Sequence, residues 1–272
     1  MITRTTGRGR PIVAVHGFGI DHRILLPLEH ALTDATWRWV HLDLPWVRES
    51  PGYDPSVASA QQVADAVREA IRAHLGDEPF AIVGNSFGGM IARSVAHELR
   101  DQVLGLATIV GVVEPDHARR RVPPRQVVLG DPDVVASAEP GPARDDFVAL
   151  SVVQTAATLD AHERYVLPGV RAADQTVVDR IATDYALGAE PETLHPAPFT
   201  APSLHLFGRQ DDVVGYEDGL ALRDHYPRGT YAVLDAAGHN AHLERPAVAT
   251  ALFRDWLDRM SWTAGPRPAV ED

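Results

Sequence analysis

Through the first 110 residues, short runs of β-branched and apolar residues alternate with amphipathic stretches, and this alternation constrains the fold most. A buried strand, a helix and a second buried strand return the chain to one sheet only by a crossover. The pattern therefore calls for a parallel sheet with helices packed on its faces. Residues 11–15 read as a first buried strand, ending at the turn His16-Gly17-Phe18-Gly19. A helix is expected over about 23–32 and a strand over 37–44. The stretch 55–75 carries Val57, Ala60, Ala64, Val67 and Ile71 at helical steps. A short strand over 80–83 turns at Gly84-Asn85-Ser86-Phe87-Gly88-Gly89 into a helix with Ile91, Val95 and Leu99 on one face, and 103–110 reads as the next strand.

The pattern changes at Glu114-Pro115. Residues 115–197 are rich in proline and hold no convincing strand; helices are expected near 145–158, 161–166 and 173–187. Alternation resumes with a strand over 203–207, a helix around 216–225, a strand over 230–234, and a last amphipathic helix carrying Val248, Leu252 and Trp256. The expectation is an α/β fold: a mostly parallel, doubly wound sheet from residues 1–114 and 198–260, a helical cap inserted at 115–197, and a loose tail over 261–272.

Composition removes whole classes of chemistry. The 272 residues contain no cysteine, so no thiolate nucleophile, disulfide or thiolate metal site is available. All 25 basic residues are arginine, which removes Schiff-base lysines, phosphate-loop lysines and Ser–Lys dyads. A net charge of −12 disfavours nucleic acid and anionic membrane surfaces, although a pocket's local field can differ from that of the whole molecule. The apolar run Ile12-Val13-Ala14-Val15 is too short for a signal core or a membrane span, so a soluble cytoplasmic protein is expected.

The strongest chemical signal is the Gly84–Gly89 turn between strand and helix. A serine at its centre sits on strained backbone with its hydroxyl above the carboxyl edge of the sheet, at a helix N-terminus that favours developing negative charge. Serine needs a base, because its hydroxyl is protonated near neutral pH. Of the 13 histidines, His239 follows Gly238 in a loop after the strand over 230–234, on the edge where Ser86 emerges. The turn Gly208-Arg209-Gln210-Asp211-Asp212 offers an acid at the same edge, with both aspartates as candidates. The backbone N–H groups of Phe18 and Phe87 are the candidate oxyanion donors. His16 reads as a residue tying down its loop. His239 and His242, at helical spacing, are a weaker metal-binding alternative.

With these motifs in this order, the chain resembles the α/β-hydrolase superfamily over nearly its whole length. The motifs are His16-Gly17-Phe18-Gly19, Gly84–Gly89, Gly208–Asp211, and Gly238-His239 followed by Leu243-Glu244-Arg245-Pro246. The resemblance implies a helical cap over the site, assigns the acid to Asp211 rather than Asp212, and implies no metal or organic cofactor. The opening antiparallel strands of the family look shortened or missing, and Asp43-Leu44-Pro45 is followed by a bulky Trp46 near the cleft. The function implied is hydrolysis of a small carboxylic ester or lactone through an acyl-enzyme. The turn is also similar to that of C–C bond hydrolases acting on β-diketones or dienoates, but Asn240 stands where those have tryptophan. A slow-turnover, receptor-like member is the third reading. Arg164, Arg171 and Arg180 are candidate carboxylate binders in the cap, and Glu114 or Asp116 a fallback acid.

Overall fold

The computed structural model describes residues 1–32 and 36–262. Seven strands form one sheet in the order β1-β3-β2-β4-β5-β6-β7. They are β1 (Ile2–Gly7), β2 (Arg10–Val15), β3 (Trp37–Leu42), β4 (Phe80–Asn85), β5 (Val103–Ile109), β6 (Ser203–Gly208) and β7 (Gly229–Leu234). All pair in parallel except β1, which runs antiparallel to β3 at the edge. One opening antiparallel strand is thus present, formed by residues too polar and alternating to stand out as a buried strand.

The central strands are buried on both faces, and alternate residues feed separate cores. Val13 and Val15 of β2, with Phe80 and Ile82 of β4, pack into one core. Ile12, Ala14, Ala81 and Val83 pack into the other. Helix α1 (Leu26–Ala31) follows a short 3-10 turn, His22–Leu25, so the expected helix over 23–32 is split. Helix α2 (Ala60–Leu75) begins five residues later than expected, where the Ser59 hydroxyl accepts the Gln62 N–H at 3.2 Å. With α3 (Phe87–Glu98), α2 covers the first core.

Between β5 and β6 the described chain adds no strand to the sheet. It holds α4 (Pro132–Ser137), α5 (Pro142–Leu150), α6 (Ala156–Tyr165), α7 (Leu167–Ala172), α8 (Gln175–Ala182) and α9 (Pro191–Leu194). The single helix expected over 145–158 is broken, because the Val128 and Leu129 N–H groups donate to the Val152 carbonyl and the Gln154 N–H donates to the Leu129 carbonyl, which holds the residues that would have joined its halves extended. Helix α8 stops at Ala182, short of the expected 187. Beyond β6, α10 (Glu217–Ala221) is half the expected length, α11 (Ala241–Glu244) is a single turn, and α12 (Pro246–Trp262) covers the second core with Phe253 and Trp256. The tail expected over 261–272 lies outside the described residues from 263 on. No helix among the described residues is long and apolar enough to cross a membrane.

Candidate active site

From β2 the chain crosses to β3 on one side and later to β4 on the other, so a crevice opens where the carboxyl ends of β2 and β4 diverge. Two loops meet there. Ser86 closes β4 and opens α3 with φ 52° and ψ −117°, a conformation that costs a non-glycine residue roughly 1–3 kcal/mol. Its neighbours hold it there. The Ser86 N–H donates to the Ile109 carbonyl at 2.9 Å, and its own carbonyl accepts from Gly89 at 2.9 Å and Val112 at 3.0 Å. The glycines on either side are required by close approach. A Cβ on Gly84 would lie 2.1 Å from the Gly88 carbonyl oxygen, and one on Gly88 would lie 2.3 Å from that of Val15.

His239 follows β7 in a loop fastened from two directions. Gln210 exchanges hydrogen bonds with the backbone of Ala237 at 2.9 and 3.2 Å. The buried Glu244 carboxylate accepts the N–H groups of Gly238 at 2.6 Å and of Val152 and Val153 at 2.7 and 3.1 Å, so one side chain joins the histidine loop to the segment between β5 and β6. Burial pushes its pKa up, and these three donors pull it back.

The imidazole of His239 lies between Ser86 and Asp211. The Nδ1–H donates to the Asp211 carboxylate at 3.1 Å, which leaves Nε2 to accept the Ser86 hydroxyl proton at 2.9 Å. Asp211 is fully buried, and its Oδ1 also accepts the N–H groups of Val213 and Val214 at 2.9 and 3.0 Å. Asp212 points elsewhere, 3.9 Å from Arg125. Phe87 is the first residue of α3, so its N–H has no partner within the helix, and the Phe18 N–H has no backbone partner among the described residues.

His16 is fully buried and bonded on both sides, Nδ1 donating to the Gly17 carbonyl at 2.8 Å and Nε2 accepting the Leu44 N–H at 3.0 Å. It ties the Phe18 loop to the end of β3. Trp46 is buried behind that loop, edge-on to Phe18 and Phe87, with its indole N–H on the Ile20 carbonyl at 2.9 Å. It walls the site from behind rather than filling the cleft. His242 is bonded elsewhere: its Nε2–H donates to the Ile24 carbonyl at 2.8 Å, and burial draws its pKa down to about 4.

A cavity of about 690 Å³ opens over Ser86 and His239. Phe18, Leu150, Ala182, Tyr185 and Val213 give it an apolar wall, and Glu114, Asp116, Arg119 and Arg120 line its polar end. Glu114 and Asp116 belong to that lining and do not contact the imidazole. None of the three cap arginines picked from sequence lines this cavity. Arg164 pairs with Asp160 at 3.0 Å, Arg171 with Glu139 at 3.4 Å, and Arg180 reaches the Pro55 carbonyl. Sequence reasoning missed Arg120, because nothing in the run His117-Ala118-Arg119-Arg120-Arg121 marks which arginine turns inward.

The fold and this edge-of-sheet arrangement define an α/β hydrolase. The family model for the alpha/beta hydrolase fold matches residues 10–246, and the chain belongs to that family. The chain is 23% identical to the pimeloyl-[acyl-carrier protein] methyl ester esterase of Shewanella woodyi, over 93% of this chain and 96% of that protein. It is 24% identical to the protein of the same name from Neisseria meningitidis, over 92% and 94%. Among solved structures, an alpha/beta superfamily hydrolase from Oenococcus oeni PSU-1 superposes with a TM-score of 0.85 at 25% identity, covering 96% of this chain and 98% of that one.

Proposed function

We propose that this protein is a carboxylic ester hydrolase that works without a cofactor through a Ser86–His239–Asp211 triad. The observation that carries the proposal is the unbroken relay from the Ser86 hydroxyl through His239 to buried Asp211 at the floor of one cavity. Ser86 attacks the acyl carbon while His239 takes its proton at Nε2. His239 then returns that proton to the leaving alkoxide. Asp211 keeps Nδ1 protonated and stabilises the imidazolium. The Phe18 and Phe87 N–H groups receive the oxyanion, each worth about 3–4 kcal/mol in the transition state. Water, deprotonated by His239, then cleaves the acyl-enzyme.

The substrate is a small carboxylic ester or lactone. Curated relatives named as methyl ester esterases over nine-tenths of the chain support an ester of a small alcohol. Residues 115–197 act as a cap over the core made by 1–114 and 198–260, a division supported by Leu150, Ala182 and Tyr185 facing Ser86 across the cavity. A cytoplasmic location belongs to the same proposal, and cell fractionation tests it.

The experiment is a substrate panel with and without EDTA: methyl and p-nitrophenyl esters of short and medium acids, lactones, and a vinylogous diketone. Ester or lactone turnover is expected in the wild type, unchanged by EDTA and absent in Ser86→Ala. A fluorophosphonate probe should label the protein once, at Ser86. A hundredfold or greater preference in kcat/KM for the diketone would move the reaction to C–C bond hydrolysis. Stoichiometric acylation without turnover would instead indicate a receptor-like protein.

A further inference from the structure

Arg120 is 8% exposed, lines the cavity over Ser86, and makes no ion pair among the described residues. Its donors go to neutral groups. Nε donates to the Glu114 carbonyl at 2.8 Å, and Nη1 to the Val213 carbonyl and His117 Nδ1, each at 3.0 Å. Nη2 makes a long contact of 3.4 Å to the Pro115 carbonyl. The guanidinium lies 5.8 Å from the Tyr185 ring centre. By its charge and a side-chain hydrogen bond it also draws down the Tyr185 hydroxyl, which burial pushes up to about 12.

The acids at this end of the cavity are otherwise engaged. Glu114 pairs with exposed Arg119 at 3.0 Å and accepts the Asp116 N–H at 3.0 Å, while Asp116 accepts the Ala118 N–H at 3.0 Å. A guanidinium taken out of water keeps a charge that carbonyl dipoles compensate only in part. With Nε and Nη1 committed to the loop, what it offers a carboxylate is its charge and a hydrogen bond from Nη2. In a protein of net charge −12, an inward-facing unpaired cation at the substrate cavity also favours an anion locally where the whole molecule would repel one.

We propose that Arg120 is a specificity-determining residue that binds a carboxylate, and that the substrate is a half-ester: an ester carrying a free carboxylate remote from the scissile bond. The substrate class rests on the ester-hydrolase reading above. The site itself rests only on the geometry of Arg120. The Val213 backbone links it to the chemistry, accepting from Arg120 at its carbonyl and donating to Asp211 from its N–H. Substitution of Arg120 therefore disturbs every substrate to some degree, and the informative readout is a ratio between substrates.

The test compares monomethyl esters of four- to seven-carbon dicarboxylic acids with the same esters capped as the terminal amide, followed in a pH-stat. At one or more chain lengths the acid is expected to exceed its amide in kcat/KM by about ten- to a hundredfold, the range for a hydrogen bond to a charged group. That ratio should fall towards one in Arg120→Gln and lie between in Arg120→Lys, which keeps the charge but not the donors that fix the guanidinium in place. Because Arg120 also clamps its loop, a second measurement leaves it in place: calorimetric binding of the half-ester and its amide to Ser86→Ala, with the half-ester at least tenfold tighter. Equal turnover of acid and amide at every length, with equal binding to Ser86→Ala, overturns the proposal and leaves Arg120 a loop clamp. Tighter half-ester binding without hydrolysis of any ester would uphold the anion site while refuting the ester-hydrolase reading.

Discussion

Arg93 sits on α3, the helix that Ser86 opens, almost wholly buried, and its removal gives the sharpest energetic test of the structure. Its Nε donates to Glu192 Oε1 at 2.7 Å, its Nη2 meets Glu190 at 3.1 Å, and its Nη1 reaches the Val112 carbonyl at 2.9 Å. Glu192 is 9% exposed at its side chain, and Arg93 with the Tyr226 hydroxyl holds it well below the usual carboxylate range despite burial. Arg93→Met keeps the apolar stem and leaves Glu192 charged without its cation. Breaking a buried pair from one side costs about 3–5 kcal/mol. At about 2–4 °C for each kcal/mol, the midpoint of thermal unfolding should fall by roughly 6–20 °C. The cost is largest near neutral pH. It narrows as pH falls through the ordinary glutamate range, where the unfolded chain takes up protons that wild-type Glu192 refuses. Arg93→Met with Glu192→Met should recover most of the loss, because two apolar side chains of similar length avoid burying either charge. Urea unfolding followed by tryptophan fluorescence measures all three proteins. A single-variant loss under about 1 kcal/mol, or a double variant as unstable as the single, would refute the buried-pair argument.

Asp211→Asn should lower kcat for ester hydrolysis by roughly 10⁴-fold through the wrong imidazole tautomer, while Asp212→Asn should cost much less; equal losses would contradict the hydrogen bonds at His239. Gly88→Ala places a methyl 2.3 Å from the Val15 carbonyl oxygen, which no rotamer relieves, so folded yield by circular dichroism or kcat should fall at least about a hundredfold. His242 is buried with its pKa drawn down from 6.5 to about 4, so its share of stability is complete above the unfolded value and is lost as pH falls from 6.5 towards 4. That share is about 3 kcal/mol. His242→Asn should flatten the stability profile across that window, and an unchanged slope in urea titrations at pH 5 and 7 would count against it.

The sheet was legible because its signals are local. Residues of β2 and β4 are apolar on both faces and bounded by glycine turns, and a parallel crossover is the arrangement such runs allow. The strained serine turn was legible for the same reason: Gly84, Gly88 and Gly89 stand where backbones meet, and their spacing does not depend on the rest of the chain. Ser86 and His239 stand out as candidates from their places at strand ends, where Asp211 and Asp212 both stay open. Elements without a strong period were not legible. Strand β1 is half-exposed at an edge, and the break between α5 and α6 comes from pairing with residues 128–129 that no local pattern announces.

By itself, then, the sequence determined the class of fold, the edge of the sheet where chemistry gathers, and the exclusion of thiolate and lysine mechanisms. Local pattern left two adjacent aspartates open; the family resemblance favoured Asp211, and the tertiary structure sets Asp211 against His239, while it alone decided that Glu244 fastens that histidine's loop to residues 152–153. It also decided that Arg120, rather than Arg164, Arg171 or Arg180, faces the cavity. The reason is physical. Strand and turn propensities act over a few residues, whereas the direction of a charged side chain is set by which distant groups share its desolvated surroundings.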